Sequence, residues 1–155
     1  MNESSIQSFL EDLKHPNELV RQAATEALWQ AWFYQKGDYG WEYIQRSQVL
    51  LSAGKVPQAE AVLTELIQDQ PDFAEAWNRR AVLYYLTAQY EQALVDCQMV
   101  VKLNSIHFGA WHGIGLCQMA LANYSAAICA FRQALKIQPY AIENQRLILE
   151  CTAKM

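Results

Sequence analysis

Four cysteines and three histidines are the side chains here best suited to holding a metal or acting as nucleophiles, and their spacing argues against both uses. Cys97, Cys117, Cys129 and Cys151 are separated by 20, 12 and 22 positions. No Cys-x-x-Cys pair and no nearby histidine pair supplies the ligand spacing of a zinc site. Each cysteine sits among alanines and leucines, where a reduced thiol packs as a small hydrophobe. His107 and His112 are five positions apart, whereas a shared helical face needs a spacing of three or four, and His15 is remote. Glycine-rich phosphate loops, a Gly-x-Ser-x-Gly elbow and His-Glu-x-x-His are missing. The expectation is no catalytic residue, no metal and no cofactor, which leaves non-covalent binding as the available chemistry.

Composition narrows the partner. The chain has 155 residues, 52% hydrophobic and 18% charged, enough apolar material for one continuous core and too much for disorder. Sixteen acidic against twelve basic residues leave a net charge of −4, so no general attraction to nucleic acid or anionic lipid is expected. No unbroken hydrophobic stretch exceeds that of Ala81 to Leu86, far below the roughly 20 residues of a membrane span. Residues 1–7 carry an acid and no base ahead of the first apolar run, the wrong composition for a secretory signal. A soluble, cytoplasmic protein is expected.

The elements that position any binding surface follow from an internal period of 34. At that shift Trp77 falls on Trp111, Ala88 on Ala122, Tyr90 on Tyr124, Ala93 on Ala127, Val101 on Leu135, Lys102 on Lys136 and Leu103 on Ile137. One period earlier the register continues more loosely, with Tyr43 under Trp77, Gly54 under Ala88 and Ala59 under Ala93, and Pro71 stands two periods before Pro139. Three repeats therefore cover 40–73, 74–107 and 108–141. Within each, apolar positions recur at three, four and seven, which predicts two amphipathic helices of about a dozen residues per repeat. Ser52-Ala53-Gly54-Lys55, Thr87-Ala88-Gln89 and Leu121-Ala122-Asn123 are the breaks inside repeats, while Pro71 and Pro139 end them. Runs alternating with period two are absent, so the fold class is all-α.

The spacing Trp77, Ala81, Tyr84, Ala88, Tyr90, Ala93, and the spacing Trp111, Gly115, Tyr124, Ala127, Phe131, Ala134, Pro139, resemble tetratricopeptide repeats over about two thirds of the chain. The resemblance implies a right-handed superhelix of antiparallel helix pairs, in which Ala81, Ala93, Gly115 and Ala127 let helices approach. It implies a stacking arrangement rather than an activity. Pentatricopeptide repeats, which read RNA, lack this spacing and are usually basic. Two departures stand out. Arg80 replaces the usual leucine and is expected to keep its head paired, with Asp96 as partner. Ser105-Ile106-His107 replaces the proline-containing repeat end, and this junction is expected to be the looser one.

Residues 1–39 fall outside the period and read as an N-terminal helical extension packed on the solenoid at 40–155. Ser4 or Ser5 is expected to cap a short helix with Ile6, Phe9, Leu10 and Leu13 on one face, and His15-Pro16-Asn17 breaks it. A longer helix from about Asn17 to Gln35 is expected to cover one side of the first repeat. Its aromatic cluster, with Trp29, Trp32 and Phe33, is either core or a second candidate partner surface. At the other end, a helix over 142–153 has no partner helix after it and is expected to cap the stack, or to pair with a second copy of the chain.

In stacks of this kind the first helix of each pair lines the concave side. That geometry nominates Ile44 and Gln48 from the first repeat, Asn78, Arg79, Val82 and Tyr85 from the second, and His112, Leu116 and Met119 from the third. The carboxylate clamp known in the family holds acidic chaperone tails and needs Lys, Asn and Arg in this groove. The matching places hold Ile44, Gln48, Asn78, Val82, His112 and Leu116, of which only Asn78 fits, so no such binding is expected. A partner segment with apolar or aromatic anchors suits the groove better. The functional expectation is a non-catalytic interaction module, an adaptor, scaffold or assembly factor; the alternative is a structural protein that self-associates through its C-terminal helix.

Overall fold

The computed structural model describes residues 2–155, which form nine α-helices and no strand. They are α1 (Glu3–Asp12), α2 (Glu18–Phe33), α3 (Gly37–Ser52), α4 (Val56–Asp69), α5 (Ala74–Leu86), α6 (Tyr90–Leu103), α7 (Phe108–Ala120), α8 (Tyr124–Ile137) and α9 (Ile142–Ala153). The pairs α3–α4, α5–α6 and α7–α8 are the three repeats, and α9 packs on α8 as an unpaired first helix. α3 opens at Gly37, one turn before the expected start, with Gly37 at φ 64 supplying the left-handed residue that turns the chain out of α2.

The period is visible in the backbone as well as in the side chains. Gly54, Ala88 and Ala122, one period apart, occupy the turn inside each repeat at φ 76, 59 and 62. Only glycine adopts that region without steric cost, so the two alanines hold a mildly strained version of the turn that Gly54 makes freely. At the repeat ends, the indole Nε1 of Trp77 donates to the Pro71 carbonyl at 3.0 Å, and Trp111 donates to the Ser105 carbonyl at 2.8 Å. Gln145 substitutes an amide for the indole and donates to the Pro139 carbonyl at 3.3 Å. The repeated tryptophan thus locks the preceding turn while its ring packs between repeats. Inside the third repeat, a Cβ on Gly115 would lie 2.3 Å from Phe131, so only glycine lets α7 and α8 close around that ring.

Arg80 is paired as expected. Its Nε and Nη2 meet the two carboxylate oxygens of Asp96 at 2.7 and 3.0 Å, and Nη1 donates to Thr64 at 3.2 Å, so one guanidinium ties α4, α5 and α6 together.

The expectations for the N-terminal extension and for the junction at 105–107 need correction. Asn2, not a serine, caps α1 by accepting from the Ser5 amide at 2.9 Å; a serine inside the first turn is not placed to do so. Asn17 caps α2 in the same way through the Leu19 amide. α2 packs on the first repeat where Phe33 and Tyr34 meet Trp41 of α3, and it also reaches further than that repeat. It runs back across the turns that join successive repeats, like a strap. Lys36, just past its end, bonds Asp72 at 2.8 Å; Trp29 and Trp32 pack on His107 and Phe108; Thr25 meets Gln138, and Arg21 lies over the Tyr140 ring. Its apolar face, with Leu28 fully buried, covers Ile106 and Ile137 on those turns together with α1. This path holds the 105–107 junction firmly: His107 is fully buried, stacks on Trp32 at 4.3 Å and caps α7 by accepting from Ala110 N.

Candidate functional site

The concave face is built from α3, α5 and α7, and α2 crosses its N-terminal margin. Phe33 lies against Trp41 and beneath the Arg79 guanidinium at 4.9 Å, and a Cβ on Gly109 would strike Trp29 at 2.8 Å. The first turns of α5 and α7 are therefore covered by the protein's own helix. What stays open is the stretch one to three turns further along.

There a cavity of about 230 Å³ lies between α5 and α7, almost wholly apolar. Asn78, Val82, Tyr85, His112 and Leu116 line it, and these are five of the nine residues nominated for the groove. Ala81, Cys97 and Cys117 are buried beneath it, beside Gly109 and Gly113. The two glycines stand one helical turn apart on α7, and their bare backbone lets Trp29 and the Cys97 thiol close against that helix at the edge of the cavity. Val82 is the most exposed lining residue at 39%, with Leu86 beyond it at 65%, so an apolar rim leads into the cavity. Burial pushes the Tyr85 hydroxyl above its ordinary pKa, and its ring packs against Tyr90.

Polar groups at the margin are held in place by a buried network. Glu75, with no exposed surface, accepts on Oε1 from Asn78 Nδ2 at 3.1 Å and from Arg79 Nε at 3.2 Å. Its Oε2 faces His107 Nε2 at 2.9 Å. Because His107 Nδ1 accepts the Ala110 amide, Nε2 carries the proton and donates to Glu75. His112 Nδ1 lies 2.7 Å from Asn144 Oδ1, and the bond requires Nδ1 to donate. In neutral His112 the remaining ring nitrogen, Nε2, is then an acceptor.

The other nominated residues do not join the cavity. Ile44 is fully buried among Leu63, Leu66, Phe73 and Leu83, because α3 turns that side toward α4 and α5 and not toward the groove; it is core. Gln48 is half-buried on α3, outside the cavity. Met119 packs instead against the cluster of Ala127, Ile128 and Phe131. Arg79 is occupied by Glu75 and Phe33. At the second candidate surface Trp32 is 6% exposed, and Trp29 and Phe33 are half-buried against His107, Phe108 and Trp41. Sequence reasoning missed the depression itself. The signal was present in Gly109 and Gly113, four apart on one helix, but which neighbour they face is a tertiary fact.

Similarity to known proteins agrees with this architecture. Residues 74–106 and 108–140 each match a tetratricopeptide repeat family model. A TPR repeat-containing protein of Rhizobium etli is 34% identical over 83 residues, 54% of this chain and 41% of that one. Hsp70-Hsp90 organizing protein 1 of Glycine max is 27% identical over 104 residues, 67% of this chain and 18% of that protein. The chain thus spans less than half the length of either relative. Among solved structures, the first TPR of Spaghetti (RPAP3) bound to the HSP90 peptide SRMEEVD superposes with a TM-score of 0.69 at 20% identity, over 72% of this chain and 88% of that one. Residues 74–106 and 108–140 are thus tetratricopeptide repeats, with a third helix pair in register before them and the tetratricopeptide superhelix as the fold.

Proposed function

We infer that this protein is a non-catalytic adaptor or assembly factor that holds a segment of another protein in the concave groove, with one apolar side chain seated between α5 and α7. The observation that carries the reading is the cavity lined by Asn78, Val82, Tyr85, His112 and Leu116: preformed, apolar, and large enough for a leucine, methionine or phenylalanine side chain. A preformed site lowers the ordering cost of binding, and a single buried anchor supplies much of the affinity. Asn78 and His112 orient the segment through polar groups already fixed by Glu75 and Asn144.

Family relatives that hold acidic chaperone peptides offer a different ligand, and the residues here do not suit it. Ile44 is buried, Arg79 is committed to Glu75, and Leu116 stands where a cation would be needed. A peptide ending in Glu-Glu-Val-Asp is expected to bind no better than its scrambled sequence, and micromolar, salt-sensitive affinity for it would contradict this. The cytoplasm is the proposed compartment, since all four cysteines are free thiols, as a reducing environment maintains them.

Affinity capture with the wild type and a Tyr85→Glu, Leu116→Glu variant of equal helicity tests the reading. Partners retained only by the wild type support the groove; identical recovery by both places binding elsewhere. Self-association through α9 is the second reading, favoured by Ile142 and Leu149, which are 74% and 71% exposed. Light scattering that shows a monomer at all concentrations removes it.

A further inference from the structure

Beneath the groove the protein brings two thiols together from different repeats. Cys97 is on α6 and Cys117 on α7, 20 positions later. Gly113 makes the approach possible: a Cβ there would sit 3.0 Å from Cys97 Sγ, so the bare backbone lets that thiol reach α7. Cys117 follows Gly113 by one turn on the same face and lines the same cavity as Cys97. Both side chains are nearly fully buried by protein, yet both line the 230 Å³ cavity, which has room for a molecule the size of water or hydrogen peroxide. The remaining cysteines are placed differently. Cys129 is exposed on α8, and Cys151 is buried with Ala127, Phe131 and Leu147.

The pair is electronically unequal. The Cys97 S–H donates to the Cys117 sulfur and holds that thiol below its ordinary pKa, although burial opposes the shift. The same bond, reinforced by burial, pushes Cys97 far up. Cys117 is thus the more acidic of the two thiols, and the thiolate is the reactive form.

We propose that Cys97 and Cys117 form a redox site in the floor of the groove, which a small hydroperoxide converts reversibly to a disulfide. The Cys117 thiolate attacks a peroxide oxygen; the S–O bond forms, the O–O bond breaks, and the departing oxygen takes a proton and leaves as water or an alcohol. The Cys97 sulfur then attacks the Cys117 sulfenic acid. An S–S bond forms, the S–O bond breaks, and the hydroxyl leaves as water with the Cys97 proton. Two thiols and one hydroperoxide give one disulfide, one water and one water or alcohol. The cross-link joins the second repeat to the third directly under the lining residues.

The test uses the full chain with Cys129→Ser, which removes the exposed competitor. The protein is treated with hydrogen peroxide, alkylated with N-ethylmaleimide and mapped as unreduced peptides. The expected result is a mass loss of two hydrogens, a cross-link between the Cys97 and Cys117 peptides, and full reversal by dithiothreitol. In the Cys97→Ser variant the reaction is expected to stop at a sulfenic acid on Cys117 that dimedone traps. Full alkylation of both thiols after a peroxide dose that oxidises Cys129 in the wild type would overturn the proposal, as would a cross-link to Cys151. Should Cys97→Ser not fold, the map of the Cys129→Ser chain decides by itself. No peptide ligand enters the measurement, so its failure leaves the groove reading untouched.

Discussion

Arg80 shows how one side chain that departs from the repeat pattern becomes a joint. Its guanidinium is satisfied by both Asp96 oxygens and by Thr64, and Trp77 and Tyr84 flank it at 5.2 and 5.7 Å. Asp96 is 2% exposed, so removing it strands a largely buried cation. Asp96→Ala is expected to cost about 3 kcal/mol in urea denaturation, whereas replacing Arg80 and Asp96 together with leucines recovers most of the loss. Next to this pair, Tyr84 donates to Glu60 at 2.7 Å, and burial followed by that bond pushes its pKa up to about 12. The folded-state value is raised, so the contribution of the hydroxyl is complete below the ordinary tyrosine pKa near 10 and is lost as pH rises from there through about 12. Ultraviolet titration is expected to show Tyr84 ionising late, alongside Tyr39 and Tyr85, whose pKa values are also raised, and Tyr84→Phe is expected to remove one phenol from that late transition. The pairing of Arg80 was legible in the sequence because a cation at a buried repeat position needs an anion within reach. The burial of Glu75 and Ile44 was not, since both depend on what α2 and α4 press against.

The helices were legible because each repeat carries both an amphipathic period and a turn signal. Positions 54, 88 and 122 are instructive here. Aligning Gly54 with Ala88 and Ala122 marks the turn, but only the backbone shows that all three are left-handed. Ala88→Gly and Ala122→Gly are each expected to gain about 0.5 kcal/mol, as relief of the strained φ outweighs the added freedom of the unfolded chain. Gly54→Ala is expected to lose stability by a similar amount, and thermal unfolding of the three variants checks both signs. α2 is the element whose reach the sequence did not show: it packs on α3 of the first repeat but also crosses the later junctions. Its aromatic cluster was wider than one stripe, and a helical period says which side of a helix is apolar and nothing about the surface it meets. That surface, formed by His107, Phe108, Ile106 and Ile137, is assembled from turns of two different repeats and exists only once the solenoid has formed.

For the molecule as a whole, the α2 strap divides the concave face in two. The margin near the first turns is filled by Trp29 and Phe33, and the remainder carries the apolar cavity. On the proposed reading a ligand is confined to the outer part of the groove, where Val82, Tyr85 and Leu116 present side chains and cationic clamp residues are missing. Specificity on this account comes from one apolar pocket with two polar guides, and it should depend little on salt. The most direct test is an NMR titration of isotope-labelled protein with peptides selected from a random display library. The account predicts that enriched peptides share one large apolar residue, and that their amide shift changes centre on Asn78, Val82, Gly113 and Leu116. It further predicts affinity that falls at least tenfold in Leu116→Glu and changes little between low and physiological salt. Enriched peptides that instead perturb α9 or the α1–α2 strap, or that bind Leu116→Glu as tightly as the wild type, would contradict it.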